Sequence, residues 1–352
     1  MKNACFWLAS CLAVLGALVF DVAHAQGDAN AGEVVVYSAR KEELIKPIFD
    51  QFTKETGIRV KFLSDDSPKL IARLESEGRK SPADLLITVD VANLTIAKEK
   101  GLFQAVQSKL LEERVPARYR DHDQQWYGLS KRVRAILYNK QKVKPEELST
   151  YEDLALPKWK GEILTRTSSH PYNQSLLANI ISVHGAKGAQ NWTNGFVANF
   201  ARKPQGGDSD QIKAVAAGEA KLAIANSYYF GRIMVSNLPE DKRAQENVGI
   251  FFPNQKADKG SLSGAHVNIS GGGVLKHSPN PKAALRLLEF LVDDHAQRLY
   301  AEANKEFPVN VIVKPDAVLA AWGTFKEDET AVSVWAIYSN EATRVADKAG
   351  WK

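Results

Sequence analysis

Between Glu33 and Val89 short apolar strands alternate with amphipathic helices, and no other feature restricts the fold as much. EVVVY over Glu33 to Tyr37 reads as a buried strand. Glu42 to Thr56 reads as a helix with apolar positions at Leu44, Ile45, Ile48, Phe49 and Phe52, stopped by Gly57. Arg59 to Leu63 is a second strand, Ser67 to Glu77 a second helix stopped by Gly78, and Asp84 to Val89 a third strand. Such alternation predicts a parallel sheet with right-handed crossovers. Ligands bind such sheets outside the carboxyl ends of the strands. The loops after Tyr37, Leu63 and Val89 are therefore the first candidate positions.

A second α/β unit begins near Arg132. Strands are expected over Ala135 to Tyr138, Glu162 to Thr165, Lys221 to Ala225 and Val267 to Leu275. A helix runs from about Pro171 to Val183, and Pro281 to Val292 is strongly amphipathic. There is no repeat, low-complexity tract or long linker, which suggests two lobes joined by strands rather than by one tether.

The first 25 residues differ from the rest. Lys2 precedes an apolar stretch from Ala4 to Phe20, and Ala23-His24-Ala25 is a small-x-small cleavage signal before Gln26. This is a secretory signal peptide. A membrane anchor is disfavoured by the short apolar run and the cleavage site. Leu8-Ala9-Ser10-Cys11 has the letters of a lipoprotein signal, but Cys11 leaves almost no hydrophobic segment upstream. Both cysteines, Cys5 and Cys11, fall inside the signal, so the mature chain has no disulfide, thiolate site or cysteine nucleophile. At 44% hydrophobic and 25% charged the chain of 352 residues is neither disordered nor fibrous. Its net charge of +5 is spread rather than clustered, which argues against nucleic acid as a partner.

Enzyme motifs are missing. The sequence has no Gly-x-Gly-x-x-Gly, P-loop or Gly-x-Ser-x-Gly elbow. The six mature histidines (His122, His170, His184, His266, His277, His295) have no zinc spacing. Gly271-Gly272-Gly273 reads as a strand where another backbone packs close rather than as a phosphate cradle.

The tandem Tyr228-Tyr229 is more informative. It follows a buried strand, with Asn226 or Ser227 placed to cap the next helix. Both phenols then sit at a helix start, where the dipole favours an anion. Tyr172 has the same context, just inside a helix opened by Ser168, Ser169 and Pro171. A phenol is normally protonated, with a pKa of about 10. A highly charged cation can deprotonate its own ligands, and Fe(III) is the abundant biological ion hard enough to suit phenolate. From the tyrosines alone, a second reading stays open: an aromatic wall stacking on an organic solute.

On VVVYSARKE, SPADLLITVD, WYGLSKRVRAILYNK, TRTSSHPYNQSLLANI, IANSYYFGR, SGGGVLK and EFPVN, the chain resembles the periplasmic ferric-ion-binding proteins that feed iron ABC transporters. The resemblance covers essentially the whole mature chain, and SSHPYNQSL and NSYYFGR are its most specific segments. It implies that Tyr172, Tyr228 and Tyr229 are metal ligands. It implies that Arg132, with Ser168 and Ser169 at a helix start, holds a synergistic anion such as carbonate. Arg134, two residues on, is expected on the opposite side of the strand. Arg232, one turn after the pair, is a candidate second-layer cation, an exposed helix charge being an equal reading. Lys41 stands where some members carry a histidine, and Glu42 where some carry a further tyrosine; Val89 and Asp90 occupy the segment where others use a glutamate. The N-terminal lobe thus offers no matched ligand, with Glu42 and Asp90 kept as candidates for a closed state. The pattern is that of the tyrosine-rich subtype.

The expectation is therefore an α/β, two-lobed periplasmic solute-binding protein fold with a hinge and an interlobe cleft. Lobe one is expected over about residues 32–130 and 260–310, and lobe two over 131–259 and 311–352. The resemblance further implies a monomer in the periplasm that is not an enzyme and passes iron to an inner-membrane permease. The rivals are a binding protein for a small organic solute or oxyanion and, with no nucleophile–base constellation to support it, a secreted hydrolase.

Overall fold

The computed structural model describes residues 32–256 and 260–352, so the signal-peptide reading over residues 1–25 lies outside the described residues. In chain order the elements begin with β1 (Glu33–Ser38), α1 (Glu42–Thr56), β2 (Arg59–Ser64), α2 (Ser67–Glu77), β3 (Leu85–Thr88), α3 (Val91–Glu99) and α4 (Lys109–Arg114). Next come β4 (Tyr127–Asn139), β5 (Ile163–Leu164), α5 (Pro171–Ala198), α6 (Asp208–Ala217), β6 (Leu222–Asn226), α7 (Ser227–Met234), α8 (Pro239–Asn247) and β7 (Val248–Phe251). The chain finishes with β8 (Val267–Val274), α9 (Pro281–Val292), α10 (Asp294–Asn304), β9 (Phe307–Pro308), α11 (Ala317–Ala320), α12 (Ser333–Ile337) and α13 (Ser339–Ala349).

The strands run in the order β2-β1-β3-β8-β4-β6-β5, with β7 and β9 also paired to β4. β1 lies parallel to both β2 and β3, as the alternation predicts, and the four apolar residues named in α1 that are fully buried (Ile45, Ile48, Phe49, Phe52) cover this sheet. Gly57 closes α1 in the left-handed region at φ 74°, its N–H donating to Thr53 O. The sheet is not parallel throughout. β8 is antiparallel to both β3 and β4, and β4 is antiparallel to β6 and β7. These strands come back across the molecule, so they enter in the reverse direction.

β4 is the structural axis. Its first half, through Val133, pairs with β8, and its second half, from Arg134, pairs with β6 and β7. A single 13-residue strand thus belongs to both lobes. The sequence reading located only Ala135 to Tyr138 of it, because Ser130, Lys131, Arg132 and Arg134 interrupt the apolar pattern although all but Lys131 are buried.

The glycine run in β8 is explained by close approach. A Cβ on Gly271 would lie 2.8 Å from Tyr127 O, and one on Gly273 2.3 Å from Gln125 O. Neighbouring backbone fills the space, so nothing remains to cradle a phosphate. α5 is longer than expected and broken at Gly185, whose φ of 65° and ψ of 172° interrupt the helix close to the expected end at Val183. Among the described residues, no helix is long and apolar enough to cross a membrane.

Candidate metal centre

Two strand-to-helix turns of one lobe present the tyrosines. β6 runs directly into α7, which puts Tyr228 and Tyr229 in the first helical turn. Capping differs from the expectation. The Asn226 side chain accepts from Arg134 Nη1 at 3.2 Å, and Ser227 Oγ accepts from the Val133 N–H at 3.3 Å, so neither side chain caps α7. These polar groups tie the turn to β4 instead. At α5, Pro171 occupies the first turn and His170 is the N-cap, its Nδ1 accepting from the Tyr172 N–H at 3.4 Å.

The turns bring the three phenols together. Tyr172 Oη and Tyr228 Oη are 2.9 Å apart, and the Tyr228 and Tyr229 rings stack with centroids 4.3 Å apart. Tyr228 is buried, while Tyr229 is partly exposed. Burial pushes the Tyr172 and Tyr228 phenols up from their ordinary value, and the Arg132 charge opposes this at both. Without a metal these phenols hold their protons at neutral pH; an added cation must supply the field that removes them.

Cations already surround the site. The guanidinium carbons of Arg132, Arg134 and Arg166 lie 5.6, 5.9 and 5.6 Å from the Tyr172 ring centroid. Arg134 was expected on the far side of its strand. It shares the Arg132 side because strand side chains alternate with period two, so residues i and i+2 face the same way. Asp208, at the start of α6, holds Arg134 at 2.6 Å and Arg166 at 3.5 Å. His170 packs edge-on against Tyr172, with ring centroids 4.2 Å apart, and burial beside Arg166, Arg134 and Arg132 pushes its pKa down to about 3. It is a neutral imidazole.

Arg132 is 2% exposed. Its Nη1 donates to Ser270 Oγ at 2.9 Å and its Nη2 to Ile269 O at 2.7 Å, leaving the buried Nε without a partner. Glu306 stands 3.9 Å away and is bound more closely by Arg40, at 3.1 and 3.2 Å, and by the Ser130 hydroxyl. Arg40 comes from the loop after β1, so this buried cluster connects that loop to β4, β8 and the start of β9.

The other candidates are less central. Ser168 Oγ donates to Trp351 O at 2.5 Å, while Ser169 is exposed, 3.1 Å from Thr167 Oγ1. Asp90 is buried and committed: Oδ1 accepts from the Ala92 N–H at 2.8 Å as the cap of α3, and Oδ2 accepts from Asn268 Nδ2 at 2.7 Å. Glu42 is exposed at the start of α1. Arg232 is partly exposed and, with Tyr229, lines a cavity of about 620 Å³. On the other side, Tyr172, His170, Ser169 and Asp90 line a cavity of about 630 Å³. Sequence reasoning missed Arg166, Asp208, His170, Arg40 and Glu306. Arg40, Arg166, His170 and Glu306 lie inside the segments quoted for the resemblance, and only Asp208 falls outside them; buried ion pairs between distant segments leave no local pattern.

Among the described residues, no group of three or more His, Cys, Asp or Glu side chains could hold a metal. The oxygen donors gathered at this centre are the phenols of Tyr172 and Tyr228, with Tyr229 stacked beside them. Such a donor set is hard and, once deprotonated, anionic, which matches a trivalent cation better than a soft or divalent one.

The family model described as bacterial extracellular solute-binding protein matches residues 80–324. Iron uptake protein A1 of Synechocystis sp. is 47% identical over 320 residues, covering 91% of this chain and 88% of that protein. The structure of Trichodesmium FutA (IdiA) in complex with iron and citrate ligands superposes with a TM-score of 0.87 at 47% identity, covering 91% of this chain and all of that one (100%). Apo FutA2 of Synechocystis superposes with a TM-score of 0.85 at 44% identity, covering 91% and 99% of the two chains.

Proposed function

Because the chain belongs to the bacterial extracellular solute-binding protein family, we propose that it captures Fe(III) outside the inner membrane and delivers it to an ABC transporter for import. The grouping of Tyr172, Tyr228 and Tyr229 carries this reading, with Tyr172 and Tyr228 only 2.9 Å apart at their oxygens and the Tyr229 ring stacked on that of Tyr228. Relatives named for iron uptake, and a structural relative holding iron and citrate, support it. The protein binds its solute rather than transforming it.

On this reading Tyr172, Tyr228 and Tyr229 are the ligands. Three phenolates balance the charge of Fe(III), and each loses its proton as its oxygen takes a metal position. The guanidiniums around Tyr172 lower the cost of that negative charge, with Asp208 holding Arg134 and Arg166 in place. Arg132 and the start of α5 at Ser168 and Ser169 bind a small synergistic anion such as carbonate, which fills positions the other lobe leaves open. Asp90 and Glu42 are not ligands in this scheme, and Arg232 is a charge beside the site.

The lobes are those bounded by residues 32–130 with 260–310 and 131–259 with 311–352. They close by hinge motion about the shared strand. A monomer exported by a cleaved signal into a Gram-negative periplasm, docking on an inner-membrane permease, completes the proposal. Metal analysis of the purified protein, followed by ferric titration, tests it. About one iron per chain with a broad visible phenolate-to-Fe(III) band is expected. Protein that takes up no iron even from a ferric chelate would overturn the reading and favour an organic solute.

A further inference from the structure

The tyrosines lie between two cavities of opposite electrical character. The cavity reached by Tyr172 has Asp66 and Asp90 as its charged lining residues. The cavity reached by Tyr229 is lined by Lys41, Lys213, Arg232 and Lys305 against Asp241 and Glu302. Its walls come from both sides of the cleft, with Lys41 and the α10 residue Glu302 facing α6, α7 and α8. Two of the cations are committed: Lys213 lies 2.9 Å from Asp241, and Lys305 2.9 Å from Asp316. Lys41 reaches only Glu43, at 3.9 Å with both side chains largely in solvent, and Arg232 has no ion pair among the described residues.

We propose that this basic mouth is a docking subsite for anionic ferric chelates of the hydroxypolycarboxylate type, held by Lys41 and Arg232 while iron passes to the tyrosines. The inference rests on ferric binding at those tyrosines. Fe(III) hydrolyses in neutral water and therefore travels chelated, and a polycarboxylate chelate is an anion. A cleft lined by one sign of charge raises the local concentration and arrival rate of the opposite charge. A volume of about 620 Å³ takes a whole chelate rather than a bare anion. Tyr172 and Tyr229 are both partly exposed, and of the two it is Tyr229 that opens on this side, so a chelate docked here makes its first exchange with Tyr229. In that step one iron–carboxylate bond breaks and one iron–phenolate bond forms. The phenol proton leaves to water or to the departing carboxylate, and iron stays ferric throughout. Tyr228 and Tyr172 follow as the chelator dissociates.

The test follows growth of the visible band by stopped flow, with two iron sources: ferric citrate, which is anionic, and tris(acetohydroxamato)iron(III), which is neutral. The full mature protein is compared with Lys41→Glu, Lys41→Arg and, as a remote control, Lys187→Glu on the exposed face of α5. Lys41→Glu should slow loading from ferric citrate by roughly threefold or more, and added salt should slow the wild type likewise. Lys41→Arg and Lys187→Glu should match the wild type, and the neutral chelate should load Lys41→Glu at the wild-type rate. Equal rates for Lys41→Glu and wild type from ferric citrate, or equal slowing with both sources, would overturn the docking subsite. No band in the wild type from either source would instead remove the ferric reading, and the subsite with it.

Discussion

The phenol oxygens of Tyr172 and Tyr228 lie 2.9 Å apart across 56 residues of sequence. At that separation one hydroxyl donates to the other, so the two phenols proposed as ligands are joined by a hydrogen bond. On the proposed ligand set, a metal would have to displace the shared proton to enter.

Tyr228→Phe and Tyr229→Phe should each remove tight iron binding, and Tyr172→Phe should do the same or nearly so. Each keeps the ring and its packing but deletes an anionic donor. The loss should exceed the roughly 10–100-fold typical of an outer-layer partner. Ferric titration with circular dichroism as a folding control measures it; a variant that keeps the full visible band has not lost a ligand.

Iron uptake should acidify the solution. Burial holds the Tyr172 and Tyr228 phenols above their ordinary value, so they are protonated at neutral pH when no metal is bound. Exchange of phenol protons for iron then releases about three protons per metal, and apparent affinity falls as pH falls. Proton release in weakly buffered solution, corrected for the ferric source, gives the number directly. A value below one would rule out ligation by phenolates.

Arg132→Ala should weaken iron retention by roughly 10–100-fold and remove any dependence on bicarbonate. Because Arg132 also bonds Ser270 Oγ and Ile269 O in the interior, the variant should lose stability as well, by about 1.5–3 kcal/mol. Arg132→Lys separates charge from fork geometry. If stripped, anion-free protein binds as tightly as untreated protein and Arg132→Ala changes nothing, the anion model fails.

Glu42→Gln and Asp90→Asn should keep the visible band and most of the affinity. Glu42 is exposed, and Asp90 is engaged by the start of α3 and by Asn268. Asparagine caps a helix about as well as aspartate, so Asp90→Asn should fold normally. Loss of the band in either variant, with the fold intact, would show that the first lobe supplies a ligand.

Glu306→Gln should destabilise the protein by roughly 3–5 kcal/mol, because it leaves buried Arg40 without its carboxylate. Burial alone would raise the Glu306 pKa, but Arg40, Arg132 and the Ser130 hydroxyl outweigh it and hold the carboxyl below the ordinary range. A depressed folded-state pKa contributes stability above the unfolded value of about 4.3, and that stability is lost as pH falls further, through the folded value. Thermal melts should therefore differ between wild type and Glu306→Gln at pH 6 and converge in acid. A constant difference down to pH 3 would assign the effect to packing.

The sequence made some of this legible and hid the rest for identifiable reasons. The β1-α1-β2-α2-β3 unit follows from apolar spacing and from Gly57, whose left-handed φ of 74° is where a helix-stopping glycine belongs. The glycine run of β8 is readable because only backbone contact explains three missing side chains. The full length of β4 is not, since buried Ser130, Arg132 and Arg134 look like surface residues until their partners are known. Those partners, Glu306, Ser270 and Asp208, are remote in sequence and carry no spacing signal. Arg134 was misplaced for a simpler reason, the parity of a strand, which an explicit count of residues corrects. The tyrosine pair was visible from its turn, but its 2.9 Å contact with Tyr172 depends on how α5 and α7 pack.

One strand shared by both sheets has a further consequence for release. Arg132 and Arg134 sit where β4 passes from β8 to β6, in the strand about which the proposed lobes would turn. The three phenols ride on α5 and α7, which follow the same half of the molecule. On the proposed hinge and ligand set, swinging the lobes apart would uncover the metal while leaving its grip unchanged. On the proposed ligand set, an opened protein docked on a permease would still hold its iron. Unloading then calls for chemistry at the oxygens themselves, by returning protons to the phenolates or lowering the metal's charge, and mechanical opening serves only to let that chemistry in.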